Sequence, residues 1–169
     1  DTRFPARRGW EATGRAGIAW RVSRQVSARA AAYRGWRLPT LNELYRPFRV
    51  GADATAANAA LAPERLDGAE AGVEWRAGET GRIGITVFTN RLDGAIANVT
   101  LGEGPGLFSG VGFVAGEFRQ RRNVAAVVSR GIEVDASLAM GRWRLDAGYS
   151  YADAALRAGG DAAALDRLR

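Results

Sequence analysis

The sequence contains no lysine, no histidine and no cysteine, and only five prolines in 169 residues. Without cysteine there are no disulfides and no thiolate metal sites, and any redox compartment is compatible. Without histidine the usual general base and the commonest metal and haem ligand are missing. Enzyme chemistry would have to rest on carboxylates, Tyr or Ser alone. Apolar residues make up 47% of the chain, yet no run approaches the roughly 18 consecutive apolar residues of a transmembrane helix. They are spread thinly as Ala, Val and Leu. Asp1 to Arg8 is polar and basic, so no signal peptide is expected at the start. The protein is then either cytosolic or a mature or internal piece of something larger.

All 24 basic residues are arginine, and the net charge is +6. Such a balance raises a nucleic-acid partner. The arginines are spaced along the whole chain rather than gathered on one stripe, which a bias towards Arg, Ala and Gly codons explains more simply. No nucleic-acid partner is expected on that account.

What the chain has is period-two alternation, which puts successive side chains on opposite faces of a β-strand. Ile18, Trp20 and Val22 alternate with Gly17, Ala19 and Arg21. After the short polar break Ser23 to Gln25, Val26 to Ala32 alternates again; its Ala content makes a helix a fair competitor. Ala69, Ala71, Val73 and Trp75 oppose Glu70, Gly72, Glu74 and Arg76. Ile83, Ile85, Val87 and Thr89 follow a Gly-rich turn, with continuation through Ile96 and Val99. Ile132, Val134, Ala136 and Leu138 oppose Gly131, Glu133, Asp135 and Ser137. Met140 and Gly141 turn the chain into Trp143, Leu145, Ala147, Tyr149 and Tyr151. The spacing predicts an all-β fold with six antiparallel strands over about 15–22, 26–34, 69–77, 82–99, 123–139 and 142–153. Two long loops are expected at 35–68 and 102–122. Residues 1–14 read as a loop, and the segment from Asp153 onward as helical or disordered.

The six strands are joined short, long, short, long, short. That asymmetry is the pattern of outer-membrane barrels, with short periplasmic turns and long extracellular loops. The polar faces carry charges in mid-strand at Glu74, Glu133, Asp135, Arg144 and Asp146, while Trp20, Trp75, Trp143, Tyr149 and Tyr151 suit an interfacial aromatic girdle. Alternation alone does not say which solvent wets which face, so a soluble β domain with a dry core on one side stays open.

The first loop carries Gly35 to Pro47, GWRLPTLNELYRP, and Asn58 to Glu64, NAALAPE. The first resembles a segment that many TonB-dependent outer-membrane receptors carry at the top of a barrel strand, matching at Trp36, Arg37, Pro39, Thr40, Asn42, Glu43, Leu44 and Tyr45. The second is similar to the family's Asn-Pro-x-Leu-x-Pro-Glu, matching at Asn58, Leu61, Pro63 and Glu64. Glu70 and Gly72, Asn123, Gly131 and Glu133, and Tyr149 to Asp153 resemble later family positions. Leu38 and Ala59 depart from the pattern, where a small residue and Pro are usual. The resemblance covers roughly residues 15–153, and the order and spacing of the motifs are more specific than any one of them.

The resemblance implies an internal fragment of a 22-stranded barrel, without the N-terminal plug that engages TonB. It implies a Gram-negative outer-membrane location among lipid and lipopolysaccharide, and import of a scarce nutrient complex such as a ferric siderophore. Candidate ligand contacts are Arg37, Asn42, Glu43, Tyr45 and Arg46 in the first loop, and Arg119, Arg121 and Arg122 at the end of the second. Mouth-facing arginines steer anionic ligands; the competing reading is that Pro39, Asn42 and Glu43 shape the loop while Arg37 and Glu64 satisfy backbone or each other. The cluster FRQRR, Phe118 to Arg122, equally suits lipopolysaccharide phosphates or bulk water. Glu70, Glu74, Glu133 and Asp135 read as a hydrated wall rather than a catalytic pair, and GEGPG at 102–106 as a flexible loop rather than a phosphate cradle. No enzyme activity, catalytic residue, metal site or cofactor is expected. Two other classes stay open: a non-transporting barrel, adhesin or enzyme, and a soluble basic β domain that binds nucleic acid.

Overall fold

A computed structural model describes residues 8–124 and 126–157. In chain order its elements are β1 (Gly14–Arg21), β2 (Val26–Arg37), α1 (Leu41–Tyr45), β3 (Phe48–Val50), β4 (Asp53–Ala56), β5 (Glu64–Ala77) and β6 (Gly81–Asp93). There follow β7 (Ile96–Glu103), β8 (Gly106–Phe108), β9 (Gly112–Val114), β10 (Glu117–Asn123), β11 (Ala126–Met140) and β12 (Trp143–Arg157). Six long strands pair as one antiparallel meander in the order β1-β2-β5-β6-β11-β12. Three tight turns join one end. Ser23 Oγ accepts from the amides of Gln25 and Val26 at 3.2 and 3.0 Å. Gly78 and Gly141 take positive φ of 61° and 59°, a backbone region that hairpin turns need and glycine enters without penalty.

The register sorts the side chains into rows. Trp20, Ala28, Val73, Ile85, Val134 and Tyr149 lie side by side across all six strands, and so do Ile18, Ala30, Ala71, Val87, Ile132 and Tyr151. These rows have no covering layer: Ile18 is 70% exposed, Leu145 62% and Val73 50%. Each such side chain forgoes about 1.5–3 kcal/mol if left in water. Ten of them would exceed the roughly 5–15 kcal/mol by which a folded domain is stable. The face is therefore built for a solvent other than water. The opposite face carries Arg29, Glu70, Glu74, Thr86, Glu133 and Asp135, the alternation of a membrane barrel's lumen wall.

The five longest strands have 12–15 residues, against the roughly 9–11 of a tilted bilayer crossing. The excess extends the sheet past the apolar rows at the end opposite the tight turns. There the outward face turns charged: Arg34 bonds Asp67 at 2.6 and 2.9 Å, and Arg91 bonds Asp93 at 2.9 and 2.7 Å.

Several boundaries differ from the sequence-based expectation. The strand expected over 82–99 is two strands, because Gly94 has φ of 67° and turns the chain after Asp93 into a different sheet. β2 runs on to Arg37, β5 starts at Glu64 and β12 reaches Arg157, since ladder hydrogen bonds continue where the apolar alternation has ended. Tyr149 and Tyr151 consequently stand in mid-strand rather than near its end, while Trp20, Trp75 and Trp143 lie beside the tight turns. The expectation of a helical or disordered tail holds no helix over Asp153–Arg157, which is strand; its remainder lies outside the described residues.

Candidate functional site

Both long segments fold into a single layer over the elaborated end of the sheet. Two strands from each join in a four-stranded sheet ordered β3-β4-β10-β7, meeting at the β4–β10 seam, with β10 parallel to β4 and antiparallel to β7. β4 and β10 come from separate loops, so no tight turn forces an antiparallel pair. Apart from Ala126 at the start of β11, the buried apolar residues among those described are all here: Ala54, Ala56, Leu61, Ala95, Val99 and Val114. A small hydrophobic core thus sits outside the apolar band, where water supplies the drive to form it.

An ion cluster fastens this layer to the barrel strands. Arg37, at the end of β2, donates from Nε to Glu64 Oε2 at 2.5 Å and from Nη1 and Nη2 to Glu43 at 3.0 and 3.3 Å. Glu64 is 8% exposed, and its second oxygen accepts the Ile96 amide at 2.7 Å. One carboxylate therefore ties β2, β5 and the start of β7. Glu43 also closes a capping box on α1: its carboxylate accepts the Thr40 amide at 2.7 Å, and its own amide donates to Thr40 Oγ1 at 3.2 Å. The Arg37 hydrogen bonds, with help from Thr40, hold the Glu43 carboxyl down from 4.5 to about 2.

Two asparagines and three arginines join one loop to the other. Asn58 donates from Nδ2 to the Arg121 carbonyl at 2.9 Å and accepts the Ala60 amide at 2.9 Å. Asn123 accepts the Ala62 amide at 2.8 Å and donates to the carbonyls of Ala62 and Gly94 at 3.0 and 2.7 Å. Arg121 donates to the carbonyls of Asn42 and Arg46 at 2.5 and 3.3 Å and covers the Phe48 ring at 4.8 Å. Arg119 pairs with Glu117 and, at 3.3 Å, with Asp53. Arg49 donates to the Val111 and Phe113 carbonyls, crossing from the first loop to the β8–β9 hairpin.

The eight candidate ligand residues thus fall into groups. The structure brings Arg37, Asn42, Glu43, Arg46 and Arg121 together through the bonds above, and it spends Asn42 and Arg46 through their carbonyls. Arg119 is placed apart with Asp53 and Glu117. Arg122 is exposed and donates to Gln120 at 3.2 Å. Tyr45 is half-buried at the end of α1. The FRQRR cluster, expected at the end of a loop, lies within a strand, with Arg122 exposed. That strand is β10, an interior strand of the loop sheet, and Phe118 stacks on Phe108 with centroids 4.5 Å apart. Sequence reasoning missed the linking roles of Arg49, Asp53 and Asn123, for which no local pattern exists. The Thr40-x-x-Glu43 spacing was a findable signal. Among the described residues no group of three or more carboxylates stands close enough to hold a metal ion.

The arrangement can present a rigid, largely self-neutralised polar platform at one end of a barrel wall. The comparisons with known proteins agree with that geometry. A family model described as "TonB dependent receptor-like, beta-barrel" matches residues 1–167. Among solved structures, the siderophore receptor PirA from Pseudomonas aeruginosa superposes with a TM-score of 0.70 at 16% identity, over 85% of this chain and 28% of that one. The copper transporter OprC gives 0.64 at 20% identity, over 86% and 21%. The FrpB iron transporter from Neisseria meningitidis (F3-3 variant) gives 0.59 at 19%, over 85% and 19%. The chain thus spans about a fifth to just over a quarter of these proteins. A search of curated protein sequences returned no match.

Proposed function

The chain belongs to the TonB-dependent receptor-like β-barrel family, and from that premise we propose that its six strands are an arc of an outer-membrane uptake barrel. The family is one of receptors and transporters rather than enzymes. Its solved members named above include iron, siderophore and copper proteins, and the cargo proposed here is a scarce nutrient complex such as a ferric siderophore, admitted with energy relayed by TonB. The observation that carries this reading is the division of the sheet. One face offers uncovered apolar rows to lipid, the other a charged wall to a lumen, and the built loop layer stands at one end only. That end faces outward from the cell on this reading, with the charged outward row of Arg34, Asp67, Arg91 and Asp93 beside lipopolysaccharide headgroups.

Within the loop layer the ligand contacts we propose are the exposed guanidinium groups of Arg46 and Arg122, with Tyr45 beside the first. Arg37, Asn42, Glu43, Arg119 and Arg121 act as frame. The test is uptake of a panel of labelled ferric siderophores by cells carrying or lacking the complete protein. Uptake that requires the protein and collapses with the proton gradient supports the reading. Passage indifferent to the gradient would indicate a passive barrel instead. For any accepted ferric complex, Arg46→Ala and Arg122→Ala should weaken apparent affinity without lowering the amount of protein in the membrane.

A further inference from the structure

The lumen face is flatter than its side chains would make it, because its large groups lie across glycines of the neighbouring strand. Tyr33 of β2 lies over Gly68 of β5, where an added Cβ would overlap the ring. Its hydroxyl continues to β6 and donates to Asn90 Oδ1 at 2.8 Å. Arg29 passes more loosely beside Gly72, its Nε 3.3 Å from where a Cβ would stand, and donates to Thr86 Oγ1 at 3.0 Å. The Phe88 ring occupies the space over Gly131, and the Asp135 carboxylate that over Gly84. On the lipid face Gly14 has open space, and Gly81 meets Ala77 Cβ, Leu138 Cδ1 and the Ala77 carbonyl oxygen at 3.2, 3.7 and 3.8 Å, with no large group laid across it.

A ring laid on a glycine restores packing that the glycine lacks, and this would serve any sheet. It does not account for the Tyr33 hydroxyl and the Arg29 guanidinium being pinned to a third strand, while Gly17, Gly35 and Gly148 on the same face carry no large group. Clearance accounts for the pinning. An upright ring would project about 5 Å, half the ~10 Å that interdigitated side chains set between two packed sheets.

We propose that Gly68, Tyr33 and Asn90 form a clasp that keeps the lumen wall low near the loop end, so that a bulky polar solute can pass it. The row is suited to such a solute, since Tyr33, Gly68, Asn90 and Ser129 stand side by side with no charge among them. Freed from its seat, the Tyr33 ring stands into the passage. The clasp rests on the reading of this chain as the wall of an uptake barrel.

The absence of cysteine permits a direct test in the complete protein, in the outer membrane of intact cells. Ala31→Cys places a reporter on the lumen face one row nearer the tight turns than Tyr33, and Ala30→Cys places one on the lipid face. The rate of labelling by a bulky, membrane-impermeant maleimide added outside is measured at each. Gly68→Ala should slow labelling at position 31 severalfold, because the added Cβ overlaps the ring and the ring cannot keep its seat. Tyr33→Ala added to Gly68→Ala should restore the rate. Tyr33→Phe and Asn90→Ala remove the hydroxyl bond without disturbing the backbone, and should slow position 31 less than Gly68→Ala does. An unchanged rate in Gly68→Ala would overturn the clasp, and so would slowing in Gly68→Ala that Tyr33→Ala does not relieve. If position 30 reacts faster than position 31 in the parent protein, the lipid and lumen faces are exchanged and the barrel reading itself fails, a result distinct from failure of the clasp alone.

Discussion

Glu64→Ala should loosen the loop layer while leaving the barrel strands paired. The carboxylate is nearly buried and makes two bonds: one to the Arg37 guanidinium at 2.5 Å, one from the Ile96 amide at 2.7 Å. Hydrogen bonds to a charged group contribute about 1.5–3 kcal/mol each. The Arg37 bond is discounted because its side chain is 45% exposed and keeps Glu43 as a second partner. The Ile96 amide is left without its acceptor, a loss of about 1–3 kcal/mol. Together the cost is about 3 kcal/mol, a factor on the order of 100 in the local opening equilibrium. Hydrogen exchange read by mass spectrometry on the folded protein measures it. Peptides over Leu41–Tyr45 and Ile96–Glu103 should exchange about 100-fold faster, while those within β11 and β12 keep their protection. Glu64→Gln retains an acceptor for Ile96 and should give a smaller change. If both loop segments exchange at the parent rate in Glu64→Ala, the carboxylate is not the fastening point and the reasoning is refuted.

Acid should release α1 before it disturbs the strands. Glu43 is held below its ordinary value of 4.5, at about 2, chiefly by Arg37. A depressed carboxyl contributes stability that is complete above its unfolded value and lost as pH falls through the folded one. Pepsin cleavage at Leu41–Tyr45 should therefore rise between about pH 4.5 and 2, with a step that Glu43→Gln lacks. Asn123→Asp should damage the layer more than Asn123→Ala. The aspartate would set an oxygen against the carbonyls of Ala62 and Gly94, where the asparagine amide now donates; limited proteolysis of the 94–124 segment orders the two variants.

The barrel strands were legible in the sequence because a face wetted by lipid and a face wetted by water impose period two wherever the strand lies in the bilayer. The alternation of Ala69 to Arg76 and Ile83 to Thr89 is that imprint. It fades where both faces meet water, and so the extensions to Arg37, from Glu64 and to Arg157 were invisible to it. The Asp93–Gly94 pair is a turn signal that the apolar pattern through Ile96 and Val99 overrode, since a glycine's φ leaves no periodic trace. The loop sheet was beyond reach for a different reason. Its parallel pairing of β4 with β10 joins residues more than 60 positions apart, and Asn58, Asn123 and Arg121 reveal their partners only when both loops are folded. Motif residues such as Arg37, Glu43 and Glu64 were found by likeness to the family, yet that likeness does not separate frame from ligand contact; the distances show only that Arg37 bonds both carboxylates.

Which face of the sheet meets lipid is decided by charge substitutions on the two faces in the complete protein. Val73→Arg and Val134→Arg lie in the central apolar row; Ser150→Arg lies on the lumen face, opposite Glu133. Unfolding by urea from lipid vesicles gives the stability of each. The account predicts a loss of about 2–4 kcal/mol for each lipid-face arginine, as for a charge near the bilayer midplane, and a change within about 0.5 kcal/mol for Ser150→Arg. Equal losses on the two faces, or a larger loss at Ser150, would contradict the membrane assignment and the function built on it.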